Sequence, residues 1–286
     1  MRYVSRTMRL LLTIISSLLL FASPNLHAQH SSSEIPLQPL SGGFLTVRAS
    51  IAGHEGTFLF DSGSGVSNIT PQFASKIGCK PWGLISGAQM TGQRLDMQRC
   101  DNLVVRLGAF QSEPGTVGVF DLAKVLPPSM SGIDGTIALD VLASCTVRFS
   151  YVHHTLQILD PGSVAKSIEL SRSMPIHMVR DAEGMALTVN LPVHTTDGIA
   201  WFELDSGNTS PWVLVGRHLA SNFELDPTVK TPQRISLSLT NGSSFVGSAR
   251  LMDLILDGNL GTSFLMQYDV TVDLVHARAW VHPIAQ

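Results

Sequence analysis

Apolar and polar residues alternate along most of this chain with the period of two that is typical of β-strands. The clearest examples are residues 146–152 and 269–275, in which apolar side chains occupy every second position. Short β-branched and aromatic segments recur at intervals of about ten residues, and Gly, Asn, Asp and Pro separate them. The pattern predicts an all-β protein.

Few helices are expected, and all of them short. The segments that favour one are residues 71–76, 139–144 and 216–222. Between residues 235 and 246, an Asn241-Gly242 dipeptide flanked by alternating residues predicts a β-hairpin. Residues 29–42 carry Ser, Gln and Pro and are predicted to be disordered.

The tripeptide Asp-Ser-Gly occurs twice, each time directly after an apolar strand pattern. The first copy is Asp61-Ser62-Gly63, which follows residues 57–60, and the second is Asp205-Ser206-Gly207, which follows residues 199–204. Asp-Ser-Gly is also ordinary turn chemistry, so one copy would indicate little. Two copies within a longer repeat favour a function, because a two-aspartate hydrolase needs one carboxylate from each half of the chain.

The repeat continues downstream of each copy with an Asp-Gly dipeptide and an apolar run. The two aspartates are 144 residues apart, whereas the Asp-Gly pairs are 123 residues apart, so the first half carries 21 extra residues in its middle. A two-fold repeat of this size indicates a duplicated domain and not a solenoid. At the offset of 123 the matching residues are Asp134, Gly135, Leu142, Val147, Val152 and His153 with Asp257, Gly258, Leu265, Val270, Val275 and His276.

The repeat and the composition divide the chain into five predicted segments. Residues 43–160 form an N-terminal lobe and residues 174–286 a C-terminal lobe, each of about 120 residues. Residues 161–173, where Pro, Gly and Ser break the strand pattern, are predicted to be a linker. The remaining segments are the disordered residues 29–42 and an N-terminal targeting segment.

Residues 1–28 have the features of a secretory signal peptide. Three arginines precede and flank an apolar stretch at residues 10–22, and Leu26-His27-Ala28 forms a cleavage site. The stretch of 13 residues is short for a membrane span, although an uncleaved anchor stays an alternative. The chain is therefore expected to be exported, to the periplasm or outside the cell, without stable membrane insertion after cleavage.

Charge and cysteine content narrow the function further. Without residues 1–28 the chain has 16 basic and 22 acidic residues and no basic cluster, so no nucleic-acid partner is expected. Of its three cysteines, Cys79 and Cys100 both lie in the extra middle segment and are the favoured disulfide pair, while Cys145 lies in an apolar strand pattern. The adjacent His153 and His154 lack a third ligand at a diagnostic spacing, so no metal is expected.

The two Asp-Ser-Gly segments, with their distal apolar runs, resemble the aspartic peptidases of the pepsin and retropepsin type. The resemblance covers nearly all of the chain after the signal peptide. Residues 202–213 are similar to pepsin, whereas the short lobes are similar to retropepsins fused in tandem, as in some exported bacterial homologues. The resemblance implies two β-barrel lobes related by a pseudo-two-fold axis.

The resemblance also implies a role for each residue of the two loops. Asp61 and Asp205 would meet between the lobes as the catalytic pair, and the hydroxyls of Ser62 and Ser206 would bond across the loops to hold them. The loop residues expected to support the site are Ser62, Gly63, Ser64, Ser206, Gly207 and Asn208, and the flap candidates are Met90, Thr91, Gly92, Asn241 and Gly242.

The chemistry of such a pair follows from electrostatics. Two adjacent carboxylates cannot both ionise cheaply, so they share one proton. The ionised member can take a proton from a water while the protonated member polarises a peptide carbonyl. The expected activity is an aspartic endopeptidase that acts as a monomer on peptide or unfolded protein without a cofactor. The alternatives are a catalytically inactive module that binds peptide or protein in the same cleft, and a structural β-protein with coincidental turns.

Overall fold

A computed structural model of the chain describes residues 33–127 and 130–284. The predicted signal peptide, residues 1–28, lies outside the described residues. The elements of the first half are β1 (Ser33–Pro39), β2 (Leu45–Ile51), β3 (His54–Phe60), β4 (Asn68–Ile69), α1 (Pro71–Lys76), β5 (Trp82–Ala88), β6 (Arg94–Asp101), β7 (Val105–Leu107), β8 (Phe110–Ser112), β9 (Thr116–Val119), β10 (Gly135–Ile137), β11 (Thr146–Ser150) and β12 (Thr155–Leu159).

A helix leads from the first half into the second. The elements that follow are α2 (Pro161–Leu170), β13 (Met174–Pro175), β14 (His177–Val179), β15 (Thr188–Thr195), β16 (Gly198–Leu204), β17 (Val213–Gly216), β18 (Gln233–Ser238), β19 (Ser244–Met252), β20 (Gly258–Leu260), α3 (Thr262–Leu265), β21 (Tyr268–Asp273) and β22 (Arg278–Pro283). Short 3₁₀ turns lie at Ser41–Gly43, Leu122–Lys124, Leu139–Leu142, Ala182–Gly184, Arg217–Leu219 and Ser221–Phe223.

The structure confirms an all-β fold of two similar halves. In each half the strand that enters Asp-Ser-Gly pairs in parallel with the strand that follows Asp-Gly: β3 with β10, and β16 with β20. The Asp-Gly carboxylates act alike, because Asp134 accepts from the backbone N–H of Thr57 and Asp257 from that of Trp201, at 2.9 and 2.8 Å. The sequence repeat is therefore a repeat of pairing and of hydrogen bonding. The predicted short helices near residues 71–76, 139–144 and 216–222 are confirmed as well.

The two halves are joined through their closing strands. β11 of the first half pairs antiparallel with β21 of the second, and Val147 lies opposite Val272 while Phe149 lies opposite Val270. Each of these pairs maps onto the other at the offset of 123, so the pseudo-two-fold axis passes between the strands. All four side chains are buried. One sheet thus runs from β13 and β22 through β21 and β11 into the first lobe, and the lobes share this sheet instead of closing separately.

The expectation that residues 29–42 are disordered is wrong for residues 33–39, which form β1. This strand pairs with β12 and with β2, and it buries Ile35 and Leu37. Ile35 and Leu37 are two residues apart and share the buried face of the strand, whereas Glu34, Pro36 and Gln38 are exposed.

The predicted linker, residues 161–173, begins with helix α2. Asp160 accepts a hydrogen bond from the backbone N–H of Ser163 at 3.0 Å, and Pro161 occupies the first position of the helix. An aspartate at the N-cap followed by a proline is a favourable helix start. The residues that interrupt the strand pattern therefore initiate a helix.

The disulfide between Cys79 and Cys100 is confirmed. Their Cα atoms lie 6.2 Å apart, and the bridge encloses β5 and the turn that leads into β6. Cys145 is free and buried. In the described part of the chain, no helix is long and apolar enough to cross a membrane.

Replacing both Cys79 and Cys100 by serine is expected to lower the free energy of unfolding by about 3 kcal/mol, because a cross-link across a loop of this size restricts the unfolded chain. Urea titration of both proteins without reductant measures the difference. Wild type treated with reductant is the control and should unfold at the urea concentration of the variant. Equal midpoints for all three samples would contradict the prediction.

Candidate active site

The two Asp-Ser-Gly loops lie back to back and exchange hydrogen bonds through their serines. The Ser62 hydroxyl donates to the carbonyl of Leu204 at 2.7 Å, and the Ser206 hydroxyl donates to that of Phe60 at 3.1 Å. Each hydroxyl oxygen also accepts from the backbone N–H of the opposite serine, at 2.9 and 3.0 Å. Both serines are completely buried. Four reciprocal bonds in a dry environment fix one loop relative to the other.

The carboxyl groups of Asp61 and Asp205 lie next to each other between the two loops. The backbone donors around them follow the two-fold repeat. The N–H groups of Gly63 and Ser64 donate to Asp61, and those of Gly207 and Asn208 donate to Asp205. Burial, together with the neighbouring charge of Asp205, raises the pKa of Asp61 to about 8. The pair therefore holds a proton at neutral pH.

The glycine of each loop permits this close approach. A Cβ atom on Gly63 would overlap the Asp205 carboxyl, and a Cβ atom on Gly207 would overlap the Asp61 carboxyl. Neither glycine has a positive φ, so glycine is required here by the close contact across the two-fold axis.

An asparagine and a glutamate extend the hydrogen bonding below Asp205, and the sequence reasoning missed both. The side-chain amide of Asn259, on β20, donates to Asp205 Oδ2 at 2.7 Å and to Glu203 Oε2 at 3.2 Å. Burial, followed by the charges of Asp205 and Asp61, raises the pKa of Glu203 to about 8. The signal in the sequence is Glu203 itself, a charged residue within an apolar strand.

Tyr151 is a third residue of the site that was not predicted from the sequence. Its hydroxyl lies 2.8 Å from the carbonyl oxygen of Gly43 and 3.1 Å from that of Ser206. Burial, and after it the charges of Asp61 and Asp205, raises the pKa of this phenol. Tyr151 therefore braces the second loop from behind as a neutral donor.

A cleft of about 710 Å³ opens above the two carboxyl groups. Residues of both lobes line it, and so does the hairpin formed by β5 and β6, whose turn carries Met90, Thr91 and Gly92. The carbonyl of Met90 accepts from the backbone N–H of Ile255 in the second lobe at 3.0 Å, and Arg99 at the base of the hairpin lies 3.8 Å from Glu183. The hairpin thus spans the cleft as a flap that contacts the opposite lobe.

The other flap candidate, Asn241-Gly242, is not at the cleft, and this expectation is corrected. The two residues form the turn between β18 and β19, as the hairpin pattern predicts. The side chain of Asn241 donates to the carbonyl of Arg172, however, and the backbone N–H of Thr240 donates to that of Pro192.

Strand pairing explains why the flap occurs in one lobe. In the second half β17 pairs with β19 and β19 with β18, which matches the pairing of β4 with β9 and β9 with β6 in the first half. Strand β5 has no counterpart. Part of the additional length of the first half therefore lies in β5 and the turn that follows it, which the disulfide between Cys79 and Cys100 encloses.

The glycine of the distal motif also has a packing reason, in the second lobe. A Cβ atom on Gly261 would overlap the carbonyl oxygen of Asn208, directly behind the active loop. At the corresponding place in the first lobe, Ala138 is buried and its backbone N–H donates to the Ser67 hydroxyl at 2.9 Å. The first loop therefore tolerates the methyl group that the second loop excludes.

The histidine pair considered as a metal site lies in the turn between β11 and β12. His154 has a positive φ of 52°, which a turn requires and a strand does not. Within the described residues, no group of three or more His, Cys, Asp or Glu side chains is arranged to hold a metal ion.

Comparisons with known proteins identify the fold. No protein-family model and no curated protein sequence matches the chain. Two similar solved structures are the basic 7S globulin from soybean (TM-score 0.55, 10% identity, 88% of this chain and 94% of that chain) and conglutin gamma, a basic 7S globulin from lupine seeds (TM-score 0.57, 9% identity, 89% and 95%). The chain thus has the two-lobed, all-β pepsin-like fold. At this sequence identity the similarity shows the fold alone, so the activity must be inferred from the residues of the site.

Proposed function

We propose that this protein is an aspartic endopeptidase that hydrolyses peptide bonds in extended peptides or unfolded proteins. The observation that supports the proposal is the adjacent pair of Asp61 and Asp205 on the floor of a cleft between two lobes. Each half of the chain supplies one carboxyl group, so a single chain holds a complete site and a monomer suffices.

The surroundings of the pair assign a part to each carboxyl group. We infer that Asp61 keeps the shared proton, because more hydrogen-bond donors surround Asp205 than surround Asp61. Asp205 accepts from the backbone of Gly207 and Asn208 and from the side chain of Asn259, and these donors favour its ionised form. Asp205 takes a proton from the attacking water while Asp61 donates its proton to the peptide carbonyl. The resulting tetrahedral diol collapses when the amide nitrogen is protonated and leaves.

The flap supports the choice of an extended peptide as substrate. Strands β5 and β6 form a two-stranded ribbon beside the cleft, and Met90 at its tip lines the same cleft as the two aspartates. An extended backbone between flap and floor can form main-chain hydrogen bonds with both, as in other strand-addition modes of peptide binding. The proposed enzyme is pepsin-like in having one flap, whereas a tandem retropepsin would carry one in each lobe.

The proposed location is outside the cytoplasm, in the periplasm or secreted. The disulfide between Cys79 and Cys100 supports this, because disulfides persist in oxidising compartments. The predicted signal peptide at residues 1–28 agrees with it.

A second proposal is a catalytically inactive module that binds peptide or protein in the same cleft. The comparisons favour it, because both similar structures are of basic 7S globulins and neither protein is named as a peptidase. The presence of both aspartates favours the peptidase. Cleavage of a bound peptide would distinguish the peptidase from the binding module.

Incubation of the chain from residue 29 onward with unfolded casein between pH 3 and pH 9 tests the proposal. Cleavage is expected at acidic and neutral pH and should decline above about pH 8, because Asp61 then loses the proton it must donate. A peptide with a hydroxyl-bearing tetrahedral carbon in place of the scissile carbonyl should inhibit, since it mimics the diol. Binding of that peptide without cleavage of casein at any pH would favour the binding module instead.

A further inference from the structure

A row of three polar side chains crosses the floor of the second lobe beside Asp205. Asn190 on β15 lies opposite Glu203 on β16, and Glu203 lies beside Asn259 on β20. These residues, called the polar row below, are only 6%, 8% and 0% exposed. Burial of polar groups is costly unless hydrogen bonds compensate for it. The row therefore suggests a use beyond packing.

The first lobe lacks this arrangement. At the same places in its strands it has Thr46, Leu59 and Thr136, paired with each other in the same way. The glutamate of the second lobe thus corresponds to a leucine, and its asparagine to a threonine. Since the backbone donors to the two catalytic aspartates are equivalent, the polar row is what makes their surroundings unequal.

Asn259 is fully committed within this row. Its amide nitrogen donates to both Asp205 and Glu203, and its oxygen accepts from the side chain of Asn208 at 2.7 Å. Both acceptors of the amide are carboxyl oxygens and its one donor is an amide N–H, so the orientation of the Asn259 side chain is determined. An amide held in this way presents a fixed donor to Asp205 Oδ2.

We propose that Asn259 and Glu203 are positioning residues: Asn259 holds Asp205 as the ionised member of the pair, Asp61 therefore keeps the shared proton, and Glu203 anchors the amide of Asn259. The expected effects on catalysis rest on the proposed peptidase function. The effect of the polar row on the protonation of Asp61 can be measured without catalysis.

Glu203 also adds a third titratable group to the floor of the cleft. The titratable groups that face it are Asp205 and Asp61 on the two loops, while strands β15 and β20 contribute the uncharged Thr188, Asn190 and Asn259. Three neighbouring carboxyl groups cannot all ionise cheaply, so they titrate as a coupled set. Removal of one should make the other two lose their protons at lower pH.

Two substitutions test the proposal by steady-state kinetics on a cleavable peptide between pH 3 and pH 9. Glu203→Gln keeps an acceptor for Asn259 but cannot ionise, and it is expected to move the alkaline limb of kcat/KM about one pH unit lower, because Asp61 then loses its proton without a third carboxyl group that charges in the same pH range. Asn259→Thr introduces the residue of the first lobe and removes the fixed donor. It is expected to lower kcat by a factor of about 10 or more with little change in KM, because the donor acts on a catalytic group and not on substrate.

Thr136→Val is the matched control, since Thr136 occupies the first-lobe position that corresponds to Asn259 and is equally buried. It should leave the pH profile of the wild type unchanged. An unshifted profile for Glu203→Gln together with an unchanged kcat for Asn259→Thr, or an equal shift for Thr136→Val, would overturn the proposal. Circular dichroism checks that each variant folds, and Glu203→Gln alone suffices if Asn259→Thr does not.

A measurement independent of activity separates failure of this proposal from failure of the proposed function. The carboxyl carbons of ¹³C-labelled aspartate and glutamate can be titrated by NMR in the wild type and in Glu203→Gln. Asp61 is expected to titrate well above its ordinary range in the wild type and about one pH unit lower in the variant. This result in a protein that cleaves no peptide would support the polar row and reject the peptidase. An Asp61 that titrates at the same pH in both proteins would reject the polar row whatever the activity.

Discussion

Asp61→Asn and Asp205→Asn are each expected to lower kcat/KM for peptide cleavage by a factor of about 10³ or more. Asp61 supplies the proton for the carbonyl and Asp205 accepts the proton of the water, so either change removes half of the acid–base pair. An amide can neither donate a labile proton nor accept one at these pH values. Cleavage of a fluorogenic peptide at pH 5 and pH 7 measures the loss.

The same variants should fold and should still bind an extended peptide, because asparagine has nearly the size of aspartate. The raised pKa of Asp61 sets the sign of the stability effect. The folded state holds this proton more tightly than the unfolded state, so the wild type loses stability as the pH rises from about 4 toward 8. Asp61→Asn cannot titrate. Its melting temperature relative to wild type should therefore increase over that range.

The inactive binding module predicts a different set of results. The wild type would cleave nothing, and all three proteins would bind peptide with the same affinity. Robust cleavage by both variants would show that another group performs the chemistry, and the aspartic-peptidase proposal would then be dropped.

The features that could be predicted from the sequence are those that local chemistry determines. The two Asp-Ser-Gly loops and the two Asp-Gly pairs identify equivalent strands, and their offsets of 144 and 123 residues locate the extra segment that contains the flap. A period of two predicts the strands, and Asn241-Gly242 predicts its turn, because each depends on neighbours in sequence. The pairing of Cys79 with Cys100 was predicted because both lie in the middle of the first half, whereas Cys145 lies in an apolar strand pattern.

The features that escaped prediction depend on which strands become neighbours. Glu203 and Asn259 are 56 residues apart and meet because β16 pairs with β20. Pattern at a distance can also mislead. The same triplet, Leu-Thr-Val, occurs at residues 45–47 and 187–189, an offset of 142 that would make Thr46 equivalent to Thr188. The strand register instead makes Thr46 equivalent to Asn190, at an offset of 144. Likewise, only the strand pairing shows that the second lobe has no counterpart of β5.

Gly63→Ala and Gly207→Ala are expected to lower kcat/KM by a factor of at least about 100 each, although neither removes a catalytic group. The added methyl on Gly63 would overlap the Asp205 carboxyl and that on Gly207 the Asp61 carboxyl, so each must push the opposite aspartate away. A displacement of about 1 Å at a reacting group can cost two orders of magnitude in rate. The overlap should also lower the free energy of unfolding by about 1–3 kcal/mol, as overpacking does.

Gly87→Ala is the matched control, because Gly87 lines the same cleft from the flap and a methyl group there meets no atom within 4 Å. Its kcat/KM should stay within a factor of about 3 of wild type, as for a surface substitution that introduces no clash. NMR titration of the carboxyl groups tests whether displacement of the aspartates causes the loss of activity. Separation of the two carboxyl groups should lower the pKa of Asp61 in both loop variants and leave it unchanged in Gly87→Ala. Full activity in Gly63→Ala and Gly207→Ala would show that the carboxyl groups need not approach so closely, and the shared proton would have to be abandoned.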